Sequence, residues 1–444
     1  MHCNISLETF VTLGENGFSL DELVIKTKEL FENEGLSGFL AIILQFIDEN
    51  LFLNLGYKGK WQPEPCCDRP TYEMKDKIPR RFRTSVGTVR IYWHRVRCCN
   101  CGRISIPLRS FMSLKKYQSK TSELEKIVSE VVSEQSYRRG TEHLNTIGSI
   151  PVPKSTSHRW IMASDCDEMP TNEESLQLIL PDGTGYKRRP DPKNNKNNRG
   201  NLRVVLGIDY QGNAVPLGAF SGQSWDDIAQ QIHPQEDESS TKIADILLSD
   251  GGKGISEAFA DMVNMTQRCQ WHTIRDLNYI MWHDKASKNE RDIAQRELAA
   301  TLGIDLPAED FQHVSSQDKS ELEDKTVQAE KELDELIERF RSKGYYQAAK
   351  YVRNSKDHLF TYVRFWLKTG LLSPKASSMI ERMMREIGRR LKRIAFGWSE
   401  KGAAKMARII IKRFTHKHDW EKFWNKRLNI TGNVMLVFRG AKII

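Results

Sequence analysis

The chain has 444 residues, enough for several domains, and its 39% hydrophobic and 28% charged residues are typical of soluble globular proteins. Lysine and arginine exceed aspartate and glutamate by 67 − 58 = 9, which favours a polyanionic partner such as nucleic acid over an acidic small molecule. The longest apolar stretch, residues 36–53, is too interrupted by polar side chains to span a bilayer, and the amino terminus lacks the regions of a signal peptide. We therefore expect a cytoplasmic protein without membrane association, whose eight cysteines are reduced.

The first two predicted regions are a helical lead-in and a small β module. Residues 1–60 have apolar side chains at helical spacing. Residues 61–110 change to a β pattern, in which TVRIYWHRVR runs directly into the cysteine-rich CCNCGR. This change of pattern predicts a β hairpin that ends in a metal-binding knuckle.

The cysteines of this module are arranged as a degenerate zinc ribbon. A CxxC pair lies at its end, and an adjacent pair of cysteines precedes it by 98 − 67 = 31 positions. The candidate zinc ligands are Cys66, Cys67, Cys98 and Cys101. Neighbouring cysteines rarely reach one tetrahedral ion without strain, so a site completed by His94 or Cys99 is an alternative. A metal-free hairpin with buried cysteines is another.

Residues 111–170 are predicted to be helical and to include a helix-turn-helix. The sequence SKTSELEKIVSEVVSE opens with a predicted capping box from Ser122 to Glu125. Two short helices follow, and the second opens with basic residues that can enter a major groove. A plain helical hairpin with a solvated basic face is the alternative. The candidate DNA-binding residues are Arg138, Arg139, Lys154 and Arg159.

Residues 171–283 have an α/β pattern. Three strands precede the first helix and β and α segments then alternate, which predicts a ribonuclease-H-like α/β core with acidic residues on its first and fourth strands. Asp182 and Asp250 each end an apolar run and precede a glycine, so we expect both at the carboxyl ends of strands. Turn formation is the alternative for each aspartate alone. A basic loop between the first two strands offers phosphate contacts through Lys187, Arg188 and Arg189.

The remaining chain is predicted to be an all-α insertion, residues 284–370, and the last part of the core, residues 371–444. Glu381 begins a helix of the last part, and Arg385 and Arg389 follow it as candidates for contact with a DNA backbone. Complementation of the helix dipole by Glu381, and a solvated basic surface, are the alternatives. The whole pattern predicts a multidomain α+β protein.

Phosphodiester cleavage requires an activated nucleophile and a stabilised pentacovalent transition state, which two divalent ions held by a few carboxylates can provide. Asp182, Asp250 and Glu381 are therefore candidate ligands of Mg²⁺ or Mn²⁺. Each carboxylate alone is ordinary, but two strand aspartates and one helix glutamate together suit this chemistry.

Together these residues resemble the Mutator-like insertion-sequence transposases of the DDE superfamily. The resemblance rests on the DG of Asp182, the LLSDGGKG of Asp250, the following CQWH and the helix SSMIERMMREIGRR. In that superfamily a C-x2-H signature follows the second aspartate, and Cys269 and His272 fit it. A buried thiol and a histidine that holds a backbone group are the alternative for this pair.

The resemblance implies catalytic carboxylates at Asp182, Asp250 and Glu381, two Mg²⁺ or Mn²⁺ ions and an amino-terminal module that recognises terminal inverted repeats. The expected function is a nucleoid-associated DNA transposase that cleaves transposon ends and joins the 3′-hydroxyl to target DNA, acting as a homodimer or larger assembly on DNA. A structure-selective metal-dependent nuclease and a domesticated, non-catalytic DNA-binding protein are the alternatives. The cysteines depart from the two clean CxxC pairs of relatives.

Overall fold

The protein is described by a computed structural model over residues 19–148, 150–169, 175–190, 198–233, 242–392 and 396–437. It is a mixed α/β protein with two β-sheets, in agreement with the expected multidomain α+β class. Two compact units are distinguished. The first comprises Met1–Ser164 and Glu421–Ile444, and the second comprises Asp165–Trp420. The finer division into six regions stays a prediction.

The first unit contains a small antiparallel sheet and two groups of helices. Its elements are α1 (Leu20–Glu29), α2 (Leu36–Leu53), β1 (Tyr72–Thr84), β2 (Gly87–Cys98), β3 (Ile104–Ser105), α3 (Pro107–Phe111), α4 (Ser122–Glu134), α5 (Tyr137–Gly148) and α6 (Lys154–Ala163), with a π-helical turn at Leu30–Gly35 joining α1 to α2. The strands lie in the order β1-β2-β3. Helices α2 and α3 pack on β2, and their apolar side chains form one core with Phe82, Ile91 and Trp93.

The helical stretch Leu20–Leu53 is long and apolar enough to cross a membrane by length and composition. In α2, however, Leu44 and Leu51 are buried in the core shared with the hairpin. The buried carboxylate of Asp48 accepts hydrogen bonds from the backbone N–H (3.0 Å) and Nδ1 (2.7 Å) of His94. The apolar face of α2 thus has a packing partner within the protein, and the expected lack of membrane association stays a prediction.

Helices α4, α5 and α6 pack against one another. The N-cap of α4 is Thr121, one residue earlier than predicted. Thr121 has an extended backbone, and its side chain accepts a hydrogen bond from the backbone N–H of Leu124 (3.3 Å). The predicted capping box from Ser122 to Glu125 is therefore wrong: Ser122 is already helical, and Glu125 forms an ion pair with Lys120 (2.6 Å).

The second unit is built on a five-stranded sheet. Its first elements are β4 (Leu176–Lys187), β5 (Arg199–Ile208), β6 (Ala214–Ser221), α7 (Trp225–Ile232), β7 (Ala244–Ser249), α8 (Ile255–Phe259), β8 (Val263–Arg268) and α9 (Gln270–His283). The strand order is β6-β5-β4-β7-β8. Strands β4, β5 and β6 are antiparallel neighbours, whereas β4, β7 and β8 are parallel. The central strand β4 is buried along its first half, as its continuous apolar run predicts.

Seven helices follow α9 in the residues that the structure describes. They are α10 (Lys288–Thr301), α11 (Ser316–Ser342), α12 (Tyr346–Lys356), α13 (Thr361–Thr369), α14 (Ser378–Leu391), α15 (Glu400–Thr415) and α16 (Lys417–Leu428). The apolar side chains of α11 at Leu333, Ile337 and Phe340 are buried in a core shared with α9, α10, α12 and α13. They therefore stabilise this helical region itself and are not exposed for assembly. Helix α14 packs on β4, and α15 packs on β6.

Candidate catalytic site

Asp182 and Asp250 belong to neighbouring parallel strands. Ile179 of β4 lies opposite Leu247 of β7, and the same register continued by three residues sets Asp182 opposite Asp250. Adjacent strands are only about 4.8 Å apart, so both carboxylates lie in one region. The glycine after Asp182 predicted that this residue ends its strand, and that prediction is wrong. Antiparallel pairing with β5 extends β4 to Lys187. Asp250 does follow directly on β7.

The third carboxylate, Glu381, lies in the first turn of α14, the helix that packs on β4. Burial is the main reason why the pKa of Asp182 is raised to about 6, and the negative charges of Asp250 and Glu381 raise it further. The backbone N–H of Gly183, which donates to Asp182 at 2.6 Å, and the charge of His272 oppose this rise. Asp250 and Glu381 are thus close enough to Asp182 to raise its pKa.

A hydrogen-bonded network holds Glu381 from the side of α9. Ser377 Oγ lies 3.3 Å from Glu381 Oε1 and 3.4 Å from both Cys269 Sγ and His272 Nδ1. His272 Nδ1 is 3.2 Å from Cys269 Sγ and 3.7 Å from Glu381 Oε1. The backbone N–H of Cys269 donates to the carbonyl oxygen of Ser249, next to Asp250, at 2.8 Å. The C-x2-H pair therefore links the second aspartate to the glutamate.

The thiol and the imidazole of this network influence each other's ionisation. Burial would raise the pKa of Cys269, but hydrogen bonds from His272 and Ser377 bring it below its ordinary value. Burial would lower the pKa of His272, but the Cys269 thiol raises it overall. Cys269, His272 and Glu381 offer sulfur, nitrogen and oxygen atoms that lie within 4.8 Å of one another. Ser377, which joins them, was not predicted, because contact across 108 residues leaves no local sequence signal.

The turn after Asp250 needs glycine for a geometric reason. The backbone N–H of Gly252 donates to Asp250 Oδ1 at 2.8 Å, and Gly251 has a φ of +75°. A Cβ on Gly251 would lie 0.7 Å from Nη1 of Arg268. The guanidinium of Arg268 lies against this turn and over the ring of Tyr351, 5.5 Å from the ring centroid. The DGG motif therefore makes room for a cation beside the second aspartate.

The basic residues predicted for the loop after β4 are partly paired within the chain. Arg188 Nη1 contacts Glu400 Oε1 at 3.0 Å, and Arg189 Nε donates to the carbonyl oxygen of Gly397 at 3.2 Å. Lys187 is exposed at the end of β4. The expectation that all three are available to phosphates is weakened by these contacts, and residues 191–197 of the predicted loop lie outside the described residues.

The two arginines predicted on α14 are both exposed. Arg389 Nη1 lies 2.7 Å from both carboxylate oxygens of Glu386, so its charge is partly neutralised. Arg385 has no ion pair among the residues that the structure describes. The buried face of the helix contains Ile380, Met383, Ile387 and Leu391. Arg385 is thus the better placed of the pair to contact a ligand along α14.

The four predicted zinc ligands form one cluster in the first unit. The sulfur atoms of Cys66, Cys67, Cys98 and Cys101 lie within 4.8 Å of one another. Cys67 Sγ is 3.7 Å from Cys98 Sγ, and Cys66 Sγ is 3.4 Å from Cys101 Sγ. Four sulfurs bound to zinc at about 2.3 Å would be separated by roughly 3.8 Å. The sulfurs of the adjacent pair thus reach the same region as those of the CxxC pair, and zinc binding stays a prediction.

The knuckle favours the thiolate form at one of these positions. Backbone N–H groups of Cys101 and Asn100 lower the pKa of Cys98 to about 6, whereas burial and neighbouring thiols raise the pKa of Cys66 to about 12. No disulfide joins Cys66, Cys67, Cys98 or Cys101. His94, one alternative ligand, is hydrogen-bonded through Nδ1 to Asp48 instead. Cys99, the other alternative, is exposed and lies outside the cluster.

The four cations predicted for the helix-turn-helix are exposed on α5 and α6. Arg138 and Arg139 lie in the first turn of α5, and Lys154 and Arg159 lie on α6. None of the four has an ion pair within the described part of the chain. Their charges are therefore available to a polyanion, as the prediction of DNA binding requires.

Comparison with known proteins adds no family to this description. No model of a protein family matches the chain, and no curated protein matches it.

Proposed function

We propose that this protein is a DNA transposase that cleaves phosphodiesters at transposon ends and joins the freed 3′-hydroxyl to target DNA. The main support is the approach of Asp182, Asp250 and Glu381 from two adjacent strands and one helix. The resemblance of the surrounding motifs to Mutator-like transposases supports the same reaction. The strand order β6-β5-β4-β7-β8, with three antiparallel and then two parallel strands, supports a ribonuclease-H-like core.

The carboxylates suit divalent cations. Their charges raise the pKa of Asp182 by mutual repulsion, in addition to burial, and a bound cation would relieve that repulsion. Asp182, Asp250 and Glu381 would hold Mg²⁺ or Mn²⁺, which favour carboxylate oxygen ligands. When bound, two such ions supply activation of the nucleophile and stabilisation of the developing charge.

The other residues of the site position these groups and the DNA. Ser377 and His272 fix the carboxylate of Glu381, and Cys269 fixes Ser377 through contacts to its backbone N–H and hydroxyl, both at 3.4 Å. Cations near the site would attract the phosphodiester backbone, and Arg385 on α14 and Arg268 beside the turn after Asp250 are two candidates.

The first unit is proposed to recognise the transposon ends. Helix α6 would enter the major groove with Lys154 and Arg159, while Arg138 and Arg139 would contact phosphates. The cysteine cluster would bind one structural zinc ion and make the hairpin module zinc-ribbon-like, because a segment this small has little core of its own. Chemistry on two paired ends would require at least a homodimer on DNA.

The experiment that tests this function supplies the protein with Mg²⁺, a labelled duplex ending in the element's own terminal sequence and a target plasmid. A transposase is expected to cleave at the terminus and to produce labelled, joined plasmid. Cleavage without joining would favour the structure-selective nuclease. Binding without cleavage would favour the domesticated DNA-binding protein, although the three intact carboxylates argue against that alternative.

A further inference from the structure

Three arginines converge on one cleft of the first unit. The cleft has a volume of about 250 Å³ and is lined by Arg81, Arg83, Ser119, Arg159 and Trp160. Two of these arginines come from the β hairpin and one from helix α6. The sequence singled out the helix residue alone, so the hairpin contributes an unexpected part of this surface.

The strand period explains why the hairpin arginines share a face. Arg81 and Arg83 are two positions apart in β1, so both point away from the core side chain of Phe82 between them. The backbone N–H of Arg83 donates to the carbonyl oxygen of Ser119 at 2.9 Å, and the backbone N–H of Thr121 donates to that of Arg83 at 3.0 Å. The end of β1 is thus joined by its backbone to the segment that begins α4.

Helix α6 closes the other side of the cleft. The indole of Trp160 is 8% exposed and lies under the ammonium of Lys120, 4.8 Å from the ring centroid. Arg159, the preceding residue, is exposed. Because Trp160 is packed, it serves as a wall of the cleft and is not available to stack on a base.

The charge of the cleft is not neutralised by the part of the chain that the structure describes. The side chains of Arg81, Arg83 and Arg159 make no ion pair or hydrogen bond with any residue that the structure describes. Among the described residues no carboxylate lines the cleft, and the nearby Glu125 is already paired with Lys120 at 2.6 Å. Like charges held together by a fixed backbone repel one another, and an anion between them would remove that cost. One guanidinium group can donate two parallel hydrogen bonds to two oxygens of the same phosphate.

We infer that this cleft binds a phosphate of the DNA backbone, so that the hairpin and α6 hold one duplex together. The inference rests on the proposed function, since it identifies a further contact of the proposed DNA-binding unit. A phosphodiester of DNA and a free phosphate ion share the required chemistry. The net charge of +9 and the exposed cations on α5 and α6 favour the phosphodiester.

The test compares duplex binding by the full chain and its variants in a fluorescence anisotropy titration across a salt series. Arg81→Gln/Arg83→Gln and Arg159→Gln remove charge from the cleft. Arg103→Gln is the matched control, because Arg103 is an exposed arginine of the same unit that does not line the cleft. Melting curves establish that each variant is folded, and Arg81 and Arg159 are both exposed.

Each cleft variant is expected to bind the duplex about tenfold more weakly and to lower the salt slope by about one phosphate contact, while the control is unchanged. Unchanged affinity and slope in Arg81→Gln/Arg83→Gln would overturn the inference and leave the proposed function standing, because Arg159 can also contact DNA from the major groove without the cleft. No duplex binding by the unmodified protein, even at about 50 mM salt, would count against both. If inorganic phosphate stabilises the unmodified protein but not the double variant, while duplex binding is the same, the cleft holds free phosphate and the inference is wrong.

Discussion

At the scale of single residues, the charge of Asp182 lowers the stability of the folded protein at neutral pH. Its pKa in the folded protein is about 6, above the ordinary value of 3.8, so the folded state binds the proton more tightly than the unfolded state. Folding stability therefore falls as the pH rises through this interval, and the loss is complete above about pH 6. A cation bound by the site would offset this loss.

Asp182→Asn is accordingly expected to stabilise the metal-free protein at neutral pH by roughly 1 to 3 kcal/mol, because it removes a half-buried charge. The gain should vanish below the ordinary pKa of the carboxyl, where the aspartate is protonated in both states. Thermal unfolding with a chelator present measures both effects. A variant that is less stable than the unmodified protein at neutral pH would contradict this account of the charge.

Gly251 is a second residue whose role can be isolated. Alanine there would adopt a left-handed φ and would also overlap the guanidinium of Arg268. Gly212 has a φ of +84° with no atom near its missing Cβ, so Gly212→Ala measures the backbone cost alone, about 1 to 2 kcal/mol. We expect Gly251→Ala to lose a further 1 to 3 kcal/mol, roughly, in chemical denaturation. Equal losses in the two variants would show that Arg268 does not occupy this space.

At the scale of elements, the cysteine cluster should control the stability of the hairpin module. Purified protein is expected to contain about one zinc ion per chain, and Cys98→Ser should lose it and unfold the module at lower temperature. Cys99→Ser is the matched control, since Cys99 lies next to the cluster but outside it. Elemental analysis of protein purified without chelators decides the matter, and a zinc-free, equally stable module would leave a metal-free hairpin.

The helices and strands also show which parts of the fold local sequence patterns predict. Apolar runs placed the strands of the second unit, because buried strands have continuous apolar sequences. The glycine after Asp182 suggested a strand end, yet β4 continues, because a strand with an antiparallel partner can extend beyond its parallel one. The capping box failed for a similar reason, since Thr121 and Ser122 have equivalent side-chain chemistry and backbone conformation selects between them.

At the scale of the whole molecule, the contacts that complete each site are distant in sequence. Glu381 depends on Cys269 and His272, and Arg188 is neutralised by Glu400, over 200 residues away. The cleft is lined by Arg83 from the β hairpin and Arg159 from α6. Periodicity and spacing predict the order of the elements, and they identify the acidic residues and the cysteines as candidate site residues. They do not predict these pairings, because the fold determines which distant side chains meet.

The role of the three carboxylates is tested by comparing Glu381→Gln with Glu386→Gln in the cleavage and joining assay. Both changes replace a carboxylate by an amide on α14, and Glu386 contacts Arg389 instead of the other carboxylates. Glu386→Gln is expected to cleave and join like the unmodified protein. Glu381→Gln should lose both reactions by on the order of a hundredfold or more, while it binds the terminal duplex with unchanged affinity. Joined product formed by Glu381→Gln at the unmodified rate would contradict the assignment of the catalytic carboxylates.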